Sequence, residues 1–299
     1  MSTALPPHLE QYQQRVLKLK RSKYMDWPAH VHMETLAVCN AACSFCPYPA
    51  LERQGEKMPD ELIAKIIDDL TEIPRSLPFQ LSPFKVNEPF LDIRLFDILH
   101  TINDKLPNAA ITLTTNASPL TRETLRRLLQ VRNLGYLWIS FNDHRAEEYT
   151  KVMQLPYRRT IERLDELHAR KAAGDIPFRV VLSRVGDGSA VDAEFCEWVA
   201  LHYPKFETSV FQRGGWIGQV TMDFPLEVPQ VGCMRWFDVS ITATGIVAHC
   251  CMDGQAAHPI GDTRKQHVLE IYNAPAYRAL RETLVSRMDA VPCNKCSFL

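Results

Sequence analysis

The chain lacks the features that direct a protein to nucleic acid or to a membrane. Its 34 Lys and Arg residues balance 35 Asp and Glu residues, so the formal net charge is −1 and no basic surface for phosphates is indicated. No apolar run reaches the roughly 18 residues of a membrane span, and the N-terminus does not read as a signal peptide. There is also no internal repeat. We therefore expect a protein of the cytosol that binds neither nucleic acid nor membrane.

The chain has 299 residues, and 46% of them are hydrophobic. Nine of the residues are cysteines. The cytosol keeps thiols reduced, so clustered cysteines there indicate metal binding more than disulfides. Three lie early and five lie in the last quarter. Cys196 stands alone in a segment with helical apolar spacing, 193–200, and we expect it to be a buried packing residue.

Short apolar runs alternate with amphipathic stretches, which predicts βα units around a parallel sheet. The predicted strands are 31–36, 79–82, 110–114, 136–140, 178–183 and, less clearly, 208–211. The predicted helices include 59–72, 95–103, 121–130 and 157–171, with one more in the polar N-terminal segment 1–23. Six units do not close an eight-stranded barrel, so this pattern alone leaves an open barrel or a doubly wound sheet.

The early cysteines Cys39, Cys43 and Cys46 have the spacing C-x3-C-x2-C. An iron–sulfur cluster of the cuboidal kind normally takes four thiolates, so three leave one iron open for a small molecule. A zinc loop is the alternative for three nearby cysteines. This motif resembles that of the radical S-adenosylmethionine (radical SAM) superfamily.

The resemblance implies an α/β fold with a partial (β/α)6 barrel and a first [4Fe–4S] cluster whose open iron binds SAM. An electron from the cluster then cleaves SAM to a 5′-deoxyadenosyl radical that abstracts a hydrogen atom from the substrate. An enzyme of this kind also needs a reducing partner such as flavodoxin or ferredoxin. We expect an N-terminal extension at 1–28, the barrel at 29–228 and a C-terminal module at 229–299.

Residues at the predicted strand ends match further family landmarks. Val86-Asn87-Glu88-Pro89 stands where the family has Gly-Gly-Glu-Pro, so both glycines are replaced, and the carboxylate of Glu88 there can neutralise the SAM ammonium. By the same resemblance, the other SAM-binding candidates are Phe45, Asn116, Ser140, Asn142 and Ser183. The alternative for these polar residues is an ordinary turn or helix cap, and for Phe45 it is packing.

The last quarter carries four more cysteines in a recognisable order, Cys233, Cys250, Cys293 and Cys296. The segment 237–250 between the first two predicts a β-hairpin that turns at 243–245, and helices are predicted from 268 to 287. The pattern resembles the abbreviated SPASM, or twitch, module, which binds one auxiliary [4Fe–4S] cluster. A zinc ribbon is the alternative. Because only three residues follow Cys296, we expect one auxiliary cluster and not two.

Cys251 follows Cys250 directly, and neighbouring side chains on a strand point to opposite faces, so one thiol is left over. The resemblance assigns Cys250 as the ligand and Cys251 as a group facing the substrate, although the two could be exchanged. We therefore predict an epimerase of the neomycin C type, which inverts a sugar carbon of an aminoglycoside with Cys251 returning the hydrogen.

Other functions remain open. A twitch dehydrogenase of an aminocyclitol alcohol is the main alternative, followed by a maturase of a ribosomal peptide, for which no peptide-binding N-terminal domain is evident. A non-enzymatic electron carrier is a further class, although it would not need the SAM landmarks. A cationic aminoglycoside calls for acidic residues at the barrel mouth. The candidates are Asp143, Asp187, Asp223 and Asp253.

Overall fold

The computed structural model describes residues 5–222 and 227–299 of the chain. Its strands are β1 His30–Met33, β2 Phe79–Ser82, β3 Ala109–Thr115, β4 Leu134–Ser140, β5 Arg179–Gly186, β6 Glu207–Gln212, β7 Asp238–Ile241, β8 Ile246–Ala248 and β9 Pro259–Asp262. Its α-helices are α1 Pro7–Lys20, α2 Asp60–Leu70, α3 Leu95–Lys105, α4 Arg122–Leu128, α5 Ala146–Met153, α6 Tyr157–Ala173, α7 Ala190–His202, α8 Val268–Tyr272 and α9 Pro275–Glu282.

The strands form one open sheet in the order β6-β5-β4-β3-β2-β1-β7-β8-β9, and β1 to β6 are all parallel. This confirms the predicted partial barrel. All six predicted strands are present, with ends shifted by at most three residues. Pattern analysis missed α5 and β9, which are short and have mixed composition.

One face of the sheet packs against the helices because apolar residues recur at every second strand position. On β1, for example, Val31 and Met33 are fully buried in the main core, which also includes Ile66 and Ile67 of α2. The other residues of each strand point to the concave inner face. On β1 this inner face carries His30 and His32. The inner face of β1 is therefore polar, whereas its helix-facing side is apolar.

The C-terminal module extends the barrel sheet. Strand β7 pairs with β1 in parallel and turns into antiparallel β8, as predicted for the hairpin. Gly245 forms the turn with φ = +82°, and a Cβ there would stand 3.0 Å from Leu62 Cδ2, so glycine is required for both conformation and space. The module is thereby fixed against the barrel through β1.

The N-terminal helix α1 packs on this C-terminal module. Tyr12 and Val16 are buried against Val231, Cys233 and Trp236. The segment predicted as an extension therefore covers part of the region that holds the C-terminal cysteines.

Cys196 on α7 is exposed, so the prediction of a buried packing thiol was wrong; helical periodicity alone did not identify which face of α7 meets the core. No helix within 5–222 or 227–299 is both long and apolar enough to cross a membrane.

Candidate functional site

The loop of the first three cysteines leaves β1 at the carboxyl edge of the parallel sheet, where barrel enzymes build their sites. Two backbone hydrogen bonds anchor it to the end of α5, from Ala42 N to Met153 O (3.4 Å) and from Ser44 N to Val152 O (3.0 Å). The segment after β6 holds the other side, because Trp216 Nε1 donates to Phe45 O at 2.9 Å. The missed helix α5 therefore has a clear role, which is to position the cysteine loop.

The donor set of this loop fits an iron–sulfur cluster. Burial raises the pKa of Cys39 to about 12 and that of Cys46 to about 11, and the pKa of Cys43 is raised further by burial and by the other two thiols. Each thiol is thus neutral in the metal-free protein, although thiolates are the form that binds iron. Cationic iron compensates the cost of three buried thiolates, so cluster binding and deprotonation are coupled.

Glu88 lies beside this loop and is almost fully buried. Its Oε1 accepts hydrogen bonds from Thr115 Oγ1 (2.8 Å) and Phe90 N (3.2 Å), and its Oε2 accepts one from Asn116 N (2.8 Å). Burial nevertheless dominates and raises the pKa of the carboxyl group to about 7. Glu88 therefore joins the loop after β2 to the end of β3, and a bound ammonium group would stabilise its charged form.

The predicted SAM residues form two groups. Near Glu88, Asn116 Nδ2 donates to Asn40 Oδ1 in the cysteine loop at 2.9 Å. Asn87 lies on the same side, and its Nδ2 is a buried donor without a hydrogen-bond partner among the described residues.

The second group joins the ends of β4 and β5. Asn142 Nδ2 donates to Ser140 Oγ at 2.8 Å, and Asn142 Oδ1 accepts from Val185 N at 2.9 Å. Ser183 Oγ accepts from Trp138 Nε1 at 2.7 Å and donates to Ile139 O at 3.1 Å. These two hydrogen bonds of Ser183 link β5 to β4. Ser140, in contrast, is half-buried at the mouth of the barrel.

The four C-terminal cysteines that are predicted to bind the auxiliary cluster line one small cavity. Its lining includes Cys233, Cys250, Cys293, Cys296, Arg235 and Arg287. Burial raises the pKa of Cys293 to about 11, and burial together with neighbouring thiols raises that of Cys250 well above its usual value. Three buried cysteines and the half-buried Cys296 around one space fit a fully ligated cluster, and two arginines supply charge that opposes its negative charge.

Polar groups also contact the sulfur of one cysteine in this cavity. Trp236 Nε1 donates to Cys293 Sγ at 3.3 Å, and His249 Nε2 lies 3.2 Å from the same sulfur. Hydrogen bonds to ligand sulfur stabilise the more negative, reduced form of a cluster and so raise its reduction potential. These contacts were not predicted, because no sequence pattern places Trp236 near Cys293.

Cys251 does not line the cavity that holds the other four cysteines. Burial raises the pKa of its thiol, and the charged groups that act on it most strongly are Arg235, Asp238 and Lys85. The ammonium of Lys85 donates to Cys251 O (3.1 Å) and Asp253 O (2.7 Å), so a buried lysine after β2 holds the loop that carries Cys251.

A buried ion pair joins the two cysteine sites. Glu34, just after β1, accepts two hydrogen bonds from Arg53 (2.6 and 2.9 Å) and one each from Val86 N and Ala243 N (both 3.0 Å). Arg53 in turn donates to Gly254 O at 2.5 Å. Glu34 precedes the loop of the first three cysteines and Arg53 follows it. The pair therefore fixes the ends of this loop relative to the loop before Glu88 and to the β7–β8 hairpin. Sequence reasoning missed it, since an isolated Glu and Arg give no signal.

Three of the four acidic candidates for the barrel mouth, Asp143, Asp187 and Asp253, are engaged within the protein. Asp143 is buried and paired with Arg145 (2.8 Å) and Arg184 (3.1 Å). Asp253 is buried and accepts from the backbone of Ala257 and His258. Asp187 accepts from Ser189, and Asp223 lies outside the described residues. Asp143 and Asp253, which were candidates for binding a polycation, are thus buried and already have partners within the protein.

The fold and the two cysteine sites define an iron–sulfur protein with a partial barrel and a second site in a C-terminal module. The family model of the radical SAM superfamily matches residues 33–182, half of the chain, and that of the SPASM iron–sulfur cluster-binding domain matches residues 233–297. The chain belongs to the radical SAM superfamily. Its cofactors are accordingly SAM and two [4Fe–4S] clusters, as predicted, and it is an enzyme of that class.

Solved structures show the same fold at low sequence identity. BtrN in complex with AdoMet and 2-DOIA is 15% identical, with 91% of this chain and 93% of that chain covered at a TM-score of 0.60. Streptococcus suis SuiB bound to the precursor peptide SuiA is 13% identical over 99% of this chain and 76% of that chain, with a TM-score of 0.63. Native anSMEcpe with bound AdoMet and a Cp18Cys peptide is 12% identical over 89% and 86%, with a TM-score of 0.61. No curated protein sequence matches the chain.

Proposed function

We propose that the protein is a radical SAM epimerase that inverts a hydroxyl-bearing carbon of a sugar-like small molecule of the aminoglycoside type. One observation carries the proposal. Cys251 does not line the cavity of the four other C-terminal cysteines, and neither do Asp238 and Lys85, two of the charged residues that act on its thiol. Asp238 lies on β7 in register with His30 of β1, on the inner face of the barrel. A thiol in that place is available to a substrate held in the barrel.

The residues divide the work between the two sites. Cys39, Cys43 and Cys46 would hold the cluster that binds SAM, with Glu88 and Asn87 toward the SAM ammonium, and Cys233, Cys250, Cys293 and Cys296 would hold the auxiliary cluster. SAM and the clusters, when bound, supply hydrogen abstraction and single electrons.

Cys251 supplies the closing step. Its S–H bond breaks and a C–H bond forms on the face of the substrate radical opposite to abstraction. One electron from a reducing partner such as flavodoxin or ferredoxin and one proton from solvent then restore the thiol.

The inner face of the barrel supports a cyclic, hydroxylated substrate. Trp138 of β4 and Phe211 of β6 are half-buried there, with ring centroids 6.3 Å apart, and Tyr136 lies 6.2 Å from Trp138. Across from them, β1 and β7 present histidine, aspartate and serine side chains. Aromatic surfaces combined with a few placed polar groups are typical of small-molecule sites.

Dehydrogenation of an alcohol is the second candidate, and a separate observation favours it. The contacts of Trp236 and His249 with Cys293 Sγ, together with Arg235 and Arg287 in the cavity lining, favour the reduced state of an auxiliary cluster. A cluster so placed is suited to accept the electron that a dehydrogenase removes from its substrate radical.

The decisive experiment is turnover in heavy water with reconstituted enzyme, SAM, reductant and candidate aminoglycosides. We expect an isomeric product that carries one solvent deuterium. A product two mass units lighter would instead establish dehydrogenation.

Cys251→Ala tests the thiol directly, with Cys196→Ala as the matched control because Cys196 is exposed on α7. We expect C251A to retain the iron of both clusters and SAM cleavage but to form no epimer, whereas C196A behaves as the wild type. Loss of auxiliary iron in C251A would make Cys251 a ligand and overturn the assignment.

A further inference from the structure

Two buried polar atoms lie side by side on the inner face of the barrel without partners. His32 of β1 pairs in register with Ser240 of β7, so their side chains share one face. His32 is 7% exposed and Ser240 is 1% exposed, yet His32 Nε2 and Ser240 Oγ have no hydrogen-bond partner among the described residues. Buried polar atoms are nearly always paired, so this adjacent pair calls for a bound polar group.

The neighbouring polar side chains on this face, in contrast, have hydrogen-bond partners. His30 Nε2 lies 2.7 Å from Ser82 Oγ, and Ser82 Oγ lies 2.5 Å from Thr112 Oγ1. Asp238 accepts from Arg235 at 3.2 Å and is 4.0 Å from His32 Nε2, beyond hydrogen-bonding distance.

The charged residues around His32 and Ser240 indicate which kind of chemical group would bind there. Burial lowers the pKa of His32 well below its usual value, and His30, Arg235 and Lys85 lower it further. A neutral imidazole and a hydroxyl group each offer one donor together with acceptor capacity. Arg235 and Lys85 disfavour an ammonium ion here, so a neutral hydroxyl group is the matching partner.

We propose that His32 and Ser240 form a substrate subsite that hydrogen-bonds a ring hydroxyl group of a polyhydroxylated small molecule. The inference rests on the proposed function and deepens it by naming how one part of the substrate is held. Asp238 lies 4.0 Å from His32 Nε2 and also acts on the Cys251 thiol, so a hydroxyl group bound there lies on the Cys251 side of the barrel.

A metal ion is the competing occupant, since possible ligand atoms of His30, His32 and Asp238 lie within 4.8 Å of one another. Two features oppose it. Arg235 already donates to Asp238, and the cations Arg235 and Lys85 repel a further cation.

The test measures binding without turnover. Reconstituted holoenzyme with SAM but without reductant is titrated anaerobically by calorimetry with 2-deoxystreptamine and with neomycin C. We expect Ser240→Ala and His32→Leu each to weaken binding about tenfold, the usual effect of one lost hydrogen bond, and His32→Gln to recover part of the loss. Iron content and SAM affinity report whether each variant is folded, and Ser240→Ala, which removes one oxygen atom, carries the test if His32→Leu does not fold.

Gln80→Ala is the matched control, because Gln80 lies on the same inner face, in register with His30, but is exposed. Unchanged affinity in S240A and H32L, while the wild type binds, would overturn the subsite and leave the proposed function intact. No binding of any compound to the wild type would overturn the proposed function and the substrate class together. A stoichiometric metal other than iron that is lost from H32L would overturn the subsite in favour of a metal site.

Discussion

At the residue scale, the structure gives several predicted site residues a second role. Glu88 matches a SAM-binding landmark. It also accepts hydrogen bonds from Thr115 and Asn116 at the end of β3 and from Phe90 N, two residues after Glu88 itself. Ser183 matches a landmark too, but its hydroxyl group is used within the sheet. A motif identifies the residue type at a strand end, whereas the partners of the side chain depend on neighbouring strands that are distant in sequence.

The pKa of Glu88 leads to a prediction for SAM binding. The carboxyl group is neutral below a pH of about 7 in the free protein because of its burial, and an ammonium group binds the carboxylate form. SAM affinity should therefore rise with pH, by up to about tenfold per pH unit, and level off above about pH 7. Calorimetric titration of SAM at several pH values measures this slope.

Glu88→Gln is the control for that slope. We expect weaker SAM binding with a flat dependence on pH, since Gln does not titrate. The raised pKa of Glu88 also affects folding. Because the folded protein holds this proton more tightly than the unfolded chain, the free energy of unfolding falls as the pH rises from 4.5 toward about 7. A pH slope in E88Q equal to that of the wild type would assign the effect to another group.

At the scale of elements, the buried pair Glu34–Arg53 connects segments that carry different parts of the chemistry. The pair contacts the loop before Glu88 through Val86, the β7–β8 turn through Ala243 and the Cys250–Gly254 region through Gly254. It thereby sets the position of the barrel loops relative to the C-terminal module. The distance between a SAM site and an auxiliary site depends on such cross-links.

Arg53→Met should destabilise the protein strongly because it leaves the Glu34 carboxylate buried without its partner. Removing one member of a buried pair typically costs about 3–5 kcal/mol. We expect this loss in the free energy of unfolding from denaturant titration, together with a lower auxiliary iron content.

Arg126→Met is the matched control, because its pair with Glu123 is exposed on α4. Its effect should stay within about 0.5 kcal/mol, as is usual for surface pairs. Equal effects in R53M and R126M would show that the buried pair does not hold the two regions together.

At the scale of the whole molecule, the two ends of the chain meet at the auxiliary site. Helix α1 covers Val231, Cys233 and Trp236 with Tyr12 and Val16, and Gly232 leaves no room for a side chain, since a Cβ would stand 2.9 Å from Val16 Cγ1. The N-terminal segment is therefore part of the wall around the auxiliary cysteines.

Val16→Asp tests that role. A charge at this buried position should cost roughly 3–5 kcal/mol of local or global stability and open the auxiliary site to solvent. We expect iron analysis to show loss of auxiliary iron while the cluster of the Cys39–Cys46 loop and SAM binding persist. Gln14→Asp, on the exposed side of the same helix, should keep both clusters. Retention of all iron in V16D would show that α1 does not protect the site.

The sequence by itself determined the class of enzyme, the cofactors and the alternation of strands and helices. Strand periodicity left an open barrel or a doubly wound sheet, and the resemblance carried by the cysteine motif favoured the barrel. Cysteine spacing and strand periodicity are local properties, because three ligands within eight residues and apolar residues at every second position can be recognised along the chain. Only the tertiary structure decided which buried polar groups lack a hydrogen-bond partner among the residues it describes. His32 and Ser240 lie on β1 and β7, far apart in sequence. Burying their side chains without hydrogen-bond partners costs free energy, and this cost arises only when the two strands are brought into register.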